Sequence, residues 1–215
     1  MDNLALVQLP DSVLYQVERA AGILREGGVV AYPTDTVYGL GADVYHDEAV
    51  KKVFTVKQRP FGLPLPVLLS DKGQLHHIAI SNPLAERLIA RYWPGGLTII
   101  MYKSETFKSI VLAGGVKIGV RIPDHPVPRA LSYLTGRPLV GTSANLHDAV
   151  TALTADEVRR QLGGSVDFII DAGDCPGGIE STIVDITLDP PRILRSGIIP
   201  DHEIAAFWQN SIGQA

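Results

Sequence analysis

Apolar residues recur at Val13, Val17, Ala20, Ala21 and Leu24, three or four positions apart, as the buried stripe of a helix does. Ser12 stands where a cap belongs and Gly27-Gly28 stops the pattern, which predicts a helix between them. Residues 28–32, Gly-Val-Val-Ala-Tyr, then form a short apolar run of the buried-strand type, and a polar loop over 33–43 leaves its C-terminal end. The next helix, about 47–57, carries Val50, Val53 and Phe54 on its inner stripe. The same spacing continues to Lys57, so Lys57 should point inward while Lys51 and Lys52 face water.

Further strands are predicted at 65–69, 97–102, 118–122, 138–140, 166–170, 182–187 and 192–195, with helices near 82–92, 126–135 and 154–162. Strands alternating with helices argue an α/β fold. The last three strands are joined by connections too short for helical crossovers, so the sheet should be mixed rather than all parallel. There is no internal repeat, low-complexity tract or long linker, and Pro190-Pro191 reads as a turn. A single domain over residues 1–215 is the simplest organisation: a twisted mixed sheet flanked by helices.

With 19 Lys+Arg against 23 Asp+Glu, the formal charge of −4 provides no general cationic field for nucleic acid or acidic membrane. Any anion binding must therefore be local. One cysteine, Cys175, leaves no intrachain disulfide and favours a reducing compartment, the cytoplasm by default. Residues 1–8 show no basic stretch leading into an apolar run, and no eighteen apolar residues follow one another, so a soluble chain with no leader and no membrane span is expected.

Several familiar sites fail on spacing. There is no Gly-x-x-x-x-Gly-Lys-Ser/Thr, and Gly39-Leu40-Gly41 lacks the third glycine of a dinucleotide fingerprint. Gly141-Thr142-Ser143-Ala144-Asn145 has Asn where a nucleophile elbow has Gly. The histidines show no spacing for a helical metal pair, so no protein-held metal is expected.

What remains is hydroxyl residues and cations at strand ends. Arg121 interrupts the apolar strand 118–122, where an unpaired charge is costly to bury. Its partner is either an acid such as Asp124 or Asp185, or an anionic ligand. Arg195 ends another strand just before a glycine, and Lys57 and Arg59 flank the inward end of a helix. A guanidinium fork suits carboxylate or phosphate, and an ammonium suits phosphate. The 141–145 loop offers backbone N–H groups, a hydroxyl and an amide, either as a phosphate cradle or as an ordinary Asx turn.

Taken in order, the motifs at 32–41 (Tyr-Pro-Thr-Asp-Thr-Val-Tyr-Gly-Leu-Gly), 57–60 (Lys-Gln-Arg-Pro), 93–98 (Trp-Pro-Gly-Gly-Leu-Thr), 120–126 (Val-Arg-Ile-Pro-Asp-His-Pro), 142–145 (Thr-Ser-Ala-Asn), 180–185 (Glu-Ser-Thr-Ile-Val-Asp) and 194–197 (Leu-Arg-Ser-Gly) resemble the YrdC family, specifically its threonylcarbamoyl-AMP synthase members. The resemblance runs from about residue 12 to residue 200. It implies a YrdC-like fold with a basic concave cavity. It also implies a nucleotidyltransferase that makes threonylcarbamoyl-AMP and pyrophosphate from L-threonine, bicarbonate and ATP, with Mg²⁺ accompanying the ATP. The product would feed tRNA threonylcarbamoyladenosine modification through a separate transferase complex.

Carried over by position, Thr36, Arg121, Gly141 and Ser181 match threonine-holding residues. Arg59, Ser143, Thr151 and Arg195 match ATP contacts, and Lys57 and Asn145 belong to the same motifs. Lys57, Arg59 and Arg121 are the candidates for the catalytic electrostatics. Lys117 occupies a further nucleotide-contacting position where a hydroxyl is expected. Three departures stand out. Leu146-His147-Asp148 replaces the relatives' Leu-Ser-Gly, which puts nearby contacts such as that of Thr151 in question. Leu63 and Leu68 stand where many relatives have Asn and His. The chain also ends about twenty residues after Arg195, like the short form. The rival readings are a weakly RNA-binding module of the same fold, opposed by the acidic total and the lack of interleaved aromatic and basic residues, and a catalytically degenerate relative.

Overall fold

A computed structural model of the chain describes residues 9–212, with side chains as far as Trp208. Residues 1–8, on which the expectation of no leader rests, lie outside the described residues. The first helix, α1 (Asp11–Arg25), buries Val17, Ala20, Ala21 and Leu24, the stripe read from the sequence. Ser12 is not its cap: Pro10 precedes the helix and Asp11 enters the first turn, where its charge suits the helix dipole. Gly27, at φ +81°, turns the chain away, and a Cβ there would lie 2.5 Å from the His46 ring.

Strand β1 (Val30–Tyr32) follows and pairs antiparallel with β2 (Gly39–Gly41), which sits inside the stretch expected to be loop. The Tyr32 ring lies over both glycines; a Cβ on Gly39 or Gly41 would come within 2.8 or 2.7 Å of it. Glycine carries no strand preference, and here it serves close approach instead. Next come α2 (Asp47–Lys57), β3 (Val67–Leu68), a short α3 (Leu75–Ile78), β4 (Ala79–Ile80), α4 (Pro83–Tyr92, capped by Asn82), β5 (Leu97–Lys103), β6 (Lys117–Arg121) and α5 (Pro126–Thr135). The remainder is β7 (Leu139–Val140), β8 (Thr142–Ser143), α6 (Ala155–Leu162, with a capping box from Thr154 and Glu157), β9 (Phe168–Ile169), β10 (Thr182–Asp185), β11 (Arg192–Arg195) and α7 (Asp201–Ile212). No helix among the described residues is long and apolar enough to cross a membrane.

The fold is mixed α/β, as the alternation predicts, and its strands divide between two sheets. One runs β8-β2-β1-β9; the other runs β11-β10-β5-β6-β3-β7, with β4 on the flank of β5. Parallel pairs (β1–β9, β10–β5, β3–β6) sit among antiparallel ones. The chain passes from the larger sheet to the smaller at Val140-Gly141-Thr142, so Gly141 marks the seam between them. α1 packs on α5 through Val17, Ala21, Val127 and Leu131, in a core patch that also holds Tyr32 and Leu68. α7, which the apolar spacing did not announce, docks by the buried Ile204 and by Phe207 set edge-on to Tyr92.

Candidate active site

Register across β10, β5 and β6 sets Ile183 beside Thr98, Asp185 beside Ile100, and Ile100 beside Gly119. Because side chains alternate along a strand, Ser181, Ile183, Asp185, Thr98, Ile100, Lys117, Gly119 and Arg121 share one face. That face floors a cavity of about 560 Å³, within the roughly 300–1,000 Å³ typical of small-molecule sites. Along it the floor is polar at Ser181, Thr98 and Arg121, apolar at Ile183, Ile100 and Gly119, and polar again at Asp185 and Lys117. Lys57, Arg59 and the loop running from Gly141 to Thr151 form the facing wall. An alcove of about 40 Å³, walled by Thr34, Thr36, Gly39 and Leu68, adjoins it and shares Arg121, Gly141, Ser143, Ser181 and Arg195.

Every site residue carried over by position lines one of these two spaces. Thr36 belongs to the alcove; Lys57, Arg59, Lys117, Asn145 and Thr151 belong to the larger cavity; the rest border both. Leu63 lines neither and is exposed, while Leu68 forms an apolar wall of the alcove.

The cations differ in how they are held. Arg121 is buried, and its partner is neither Asp124 nor Asp185 but Asp35, whose Oδ1 lies 2.5 Å from Nη2. Its Nε donates to the Gly95 carbonyl and its Nη1 to the Thr36 hydroxyl at 3.1 Å. A guanidinium has five N–H groups, so one on each terminal nitrogen is left to offer a ligand. Arg195 pairs with Glu180 at 2.6 Å and also donates to the carbonyl and hydroxyl of Ser181. The Ser181 hydroxyl in turn shares a 2.8 Å hydrogen bond with Thr98.

Arg59 stands apart. Its Nη2 donates to the Pro64 carbonyl at 3.2 Å, its Nε is buried with no partner, and no carboxylate pairs with it among the described residues. Burial lowers its pKa, with Asp148 and Glu180 opposing. A half-buried guanidinium without a counter-ion is an anion site in waiting.

Lys57 is buried, as its helical spacing required, with 2% of its surface exposed. Its three donors go to the Ser143 carbonyl and to the carbonyl and Oδ1 of Asn145, the last two at 2.8 and 3.0 Å. The sequence reading had this ammonium meeting phosphate; in the structure it ties α2 to the 143–145 loop instead. Asn145 carries the brace onward by donating to the Ala149 carbonyl. The effect is to hold the Ser143 hydroxyl, which has no hydrogen-bond partner among the described residues, on the cavity wall.

Burial, and secondarily Arg59, push the Lys57 pKa down to about 8. The cavity's affinity for a phosphate-bearing ligand is therefore expected to fall as pH rises through about 8, when the amine loses a donor and the loop its anchor. Lys57→Met should bind weakly with a flat pH profile, and calorimetric titrations between pH 7 and 9 check both.

The Leu146-His147-Asp148 segment lies on the same wall. Asp148 takes φ +61°, the left-handed conformation in which glycine carries no penalty. Its side chain is 88% exposed, and its charge is felt at Arg59. Asp148→Gly is expected to tighten binding of a phosphate-bearing ligand about twofold to fivefold at low salt by removing a competing anion. Unchanged affinity would show that the carboxylate does not oppose such an anion.

Four site residues were given no role in the site from the sequence: Asp35, placed there only in the polar loop 33–43; Glu180; Thr98; and Asp185, which pairs with Lys117 at 3.0 Å. Glu180 had a signal, its place next to Ser181 in the 180–185 motif. Across the cavity walls Lys57, Arg59, Lys117, Arg121 and Arg195 outnumber Asp148, Glu180 and Asp185. No group of three or more His, Cys, Asp or Glu among the described residues has the arrangement to hold a metal ion.

The Sua5/YciO/YrdC family model, described as telomere recombination, matches residues 22–197. The chain is 39% identical over 191 residues to the threonylcarbamoyl-AMP synthase of Pyrococcus abyssi, covering 88% of this chain and 56% of that protein. It is 40% identical over 193 residues to the threonylcarbamoyl-AMP synthase of Bacillus subtilis, covering 89% and 56%. It thus spans about half the length of these curated relatives. Among solved structures, P. abyssi Sua5 complexed with L-threonine superposes with a TM-score of 0.85 at 39% identity, covering 88% of this chain and 56% of that one.

Proposed function

From a chain that belongs to the Sua5/YciO/YrdC family, we propose a nucleotidyltransferase that condenses L-threonine, bicarbonate and ATP into threonylcarbamoyl-adenylate, with release of pyrophosphate. One observation carries the reading. A small alcove of hydroxyls with two arginines and Glu180 adjoins a larger cationic cavity, and both share the walls Arg121, Gly141, Thr142, Ser143, Glu180, Ser181 and Arg195. Two ligands of unequal size, each with an anionic group, can meet at that junction.

In this reading threonine occupies the alcove, its carboxylate on the free N–H groups of Arg121 and its polar groups near the hydroxyls of Thr36 and Ser181. Its amine takes up CO₂ derived from bicarbonate, losing a proton to form the carbamate. The carbamate oxygen then attacks the α-phosphorus of ATP as the bond to pyrophosphate breaks in line. Negative charge grows on the phosphoryl oxygens and the leaving group. Arg59, Arg195 and the Ser143 wall are fixed where that charge develops, so they stabilise it without reorganising. Lys57 acts by positioning, holding the Ser143–Asn145 loop in place. Enclosing carbamate and nucleotide together keeps a labile intermediate from water.

Mg²⁺ would arrive on the ATP phosphates and neutralise part of their charge. The cavity wall fits that role better than a protein-held ion, because Glu180 and Asp185 are each engaged by a cation. The adenylate would then be handed to a transferase complex that modifies tRNA.

The test is direct. Purified protein given ATP, Mg²⁺, bicarbonate and labelled threonine should yield labelled adenylate and an equal amount of pyrophosphate, and omission of threonine or bicarbonate should abolish both. Pyrophosphate release that ignores threonine, or none at all, would remove the proposal.

A further inference from the structure

Carbamate formation needs a proton acceptor that the steps above do not name. Threonine arrives as an ammonium, which has no lone pair to offer carbon, so a proton must leave it where the alcove meets the larger cavity. Among the described residues that wall the alcove, Glu180 is the one carboxylate and there is no histidine. Glu180 also lines the larger cavity. Asp35 lines neither space and is tied to Arg121. Asp148, Asp185 and His147 border the larger cavity only, and Asp185 is held by Lys117 and Thr187. Lys57 does not reach the alcove and spends its donors on carbonyl oxygens.

The alcove's hydroxyls cannot carry the proton away. Thr34 donates its hydroxyl proton to the Val37 carbonyl at 2.7 Å, so the 3.0 Å contact between the Thr34 and Thr36 hydroxyls uses the proton of Thr36. The Thr36 oxygen in turn accepts from Arg121. This chain of donors ends on a backbone carbonyl, which has no proton to pass on.

Glu180 is held as an acceptor should be. Its own carbonyl accepts from the Ile198 N–H at 2.9 Å, which fixes the backbone. Its Oε2 accepts from Arg195 Nη1 at 2.6 Å, while its Oε1 has no partner among the described residues. Neutralising Arg195 takes one of these oxygens and leaves the other for a ligand's N–H. The charged groups around it are Arg195 from β11, Arg121 from β6, and Lys57 and Arg59 from the end of α2 and the turn after it; its charge is felt at Lys57, Arg59 and Arg195.

We propose that Glu180 is the catalytic proton acceptor of carbamate formation. Its free oxygen takes a proton from the threonine ammonium and delivers it to the hydroxyl of bicarbonate, whose C–O bond breaks to give water and CO₂. The amine lone pair then forms the N–C bond as one C=O pair withdraws onto oxygen, and the second N–H proton passes to the same carboxylate and out to water. The assignment deepens the function proposed above and rests on it.

The test follows threonine-dependent pyrophosphate release by the full chain at saturating ATP and bicarbonate, between about pH 7 and 9. In the wild type, kcat/KM for threonine should not rise with pH, because the ammonium form is taken and deprotonated in place. A wild-type value that climbs about tenfold per pH unit would mean that only the free amine is used, and would overturn the proposal. Glu180→Gln keeps an oxygen for Arg195 but cannot take up a proton. It should lower kcat at pH 7 by about 10²-fold, the scale of losing a general base, and recover as rising pH supplies free amine. Lys57, titrating near 8, pulls turnover the other way, so the recovery cannot come from it. Near-normal turnover at pH 7, or a loss by one factor at every pH, would reduce Glu180 to a brace for Arg195 and overturn the assignment. The wild-type profile decides the matter even if the variant does not fold. A wild type that makes no adenylate at any pH would instead overturn the function proposed above, and this assignment with it.

Discussion

Arg121→Ala is expected to lower kcat/KM for threonine, measured as threonine-dependent pyrophosphate release, by about 10²–10³-fold, the scale of losing a bidentate charge-assisted contact. Two losses add. The first is the pair of N–H groups left for a carboxylate after Gly95, Thr36 and Asp35 have taken theirs. The second is structural: Asp35, with 16% of its side chain exposed, is left without its counter-ion, and breaking a buried pair from one side costs on the order of 3–5 kcal/mol. A drop in Tm must therefore accompany the Ala variant. Arg121→Lys separates the effects, because it keeps a charge for Asp35 but cannot present the fork. Its activity should stay at least tenfold down while much of the thermal stability returns. Near-normal turnover in either variant would show that the threonine carboxylate is held elsewhere.

Gly141→Ala is expected to raise the KM for threonine by about a hundredfold or more. A Cβ at this position would lie 2.4 Å from Leu68 Cγ and 2.8 Å from Cδ2, closer than packed atoms approach. Leu68 has little room to yield, being 4% exposed and backed by the patch that includes Tyr32, Val127 and Leu131. The relief is therefore outward, into an alcove of only about 40 Å³. Overpacking of this kind also destabilises by about 1–3 kcal/mol. A second substitution tests the cause: Leu68→Ala in the Gly141→Ala background should restore space and recover much of the threonine affinity, although Leu68→Ala alone should destabilise the fold by about 2–5 kcal/mol. A double variant no better than Gly141→Ala would mean that the damage lies in the backbone of the seam, not in the alcove's volume.

What the sequence disclosed was governed by local period, and what it hid was governed by long-range contact. α1 and α2 were legible because their buried residues repeat at helical spacing, and the same spacing put Lys57 inside. β2 was hidden because Gly39 and Gly41 are chosen to admit the Tyr32 ring, so their type speaks of packing rather than strand preference. The two-residue β8 offered too few positions for alternation to register, and it pairs across the fold with β2.

The site behaved likewise. Most of its members could be named from short motifs, and each residue so named lines one or both of the two adjoining cavities. Their partners could not be named. Asp35 reaches Arg121 across 86 residues of chain, and Lys57 reaches Asn145 across 88. Composition told Arg121 only that it needed an anion, and the nearest acid in sequence, Asp124, was the wrong one. Leu68 shows the converse: the resemblance marked it only as a departure, yet its burial against Gly141 makes it the wall that sizes the alcove.

The central claim is that threonine and nucleotide meet where the two cavities share their walls. The most direct measurement is a crystal structure of the chain with L-threonine and a non-hydrolysable ATP analogue bound together. The account predicts the threonine carboxylate on Arg121, its amine facing the α-phosphate across the Gly141–Ser143 seam, and the phosphates within reach of Arg59 and Arg195. Threonine bound away from Arg121, or a nucleotide lying outside the cavity floored by β5, β6 and β10, would contradict it.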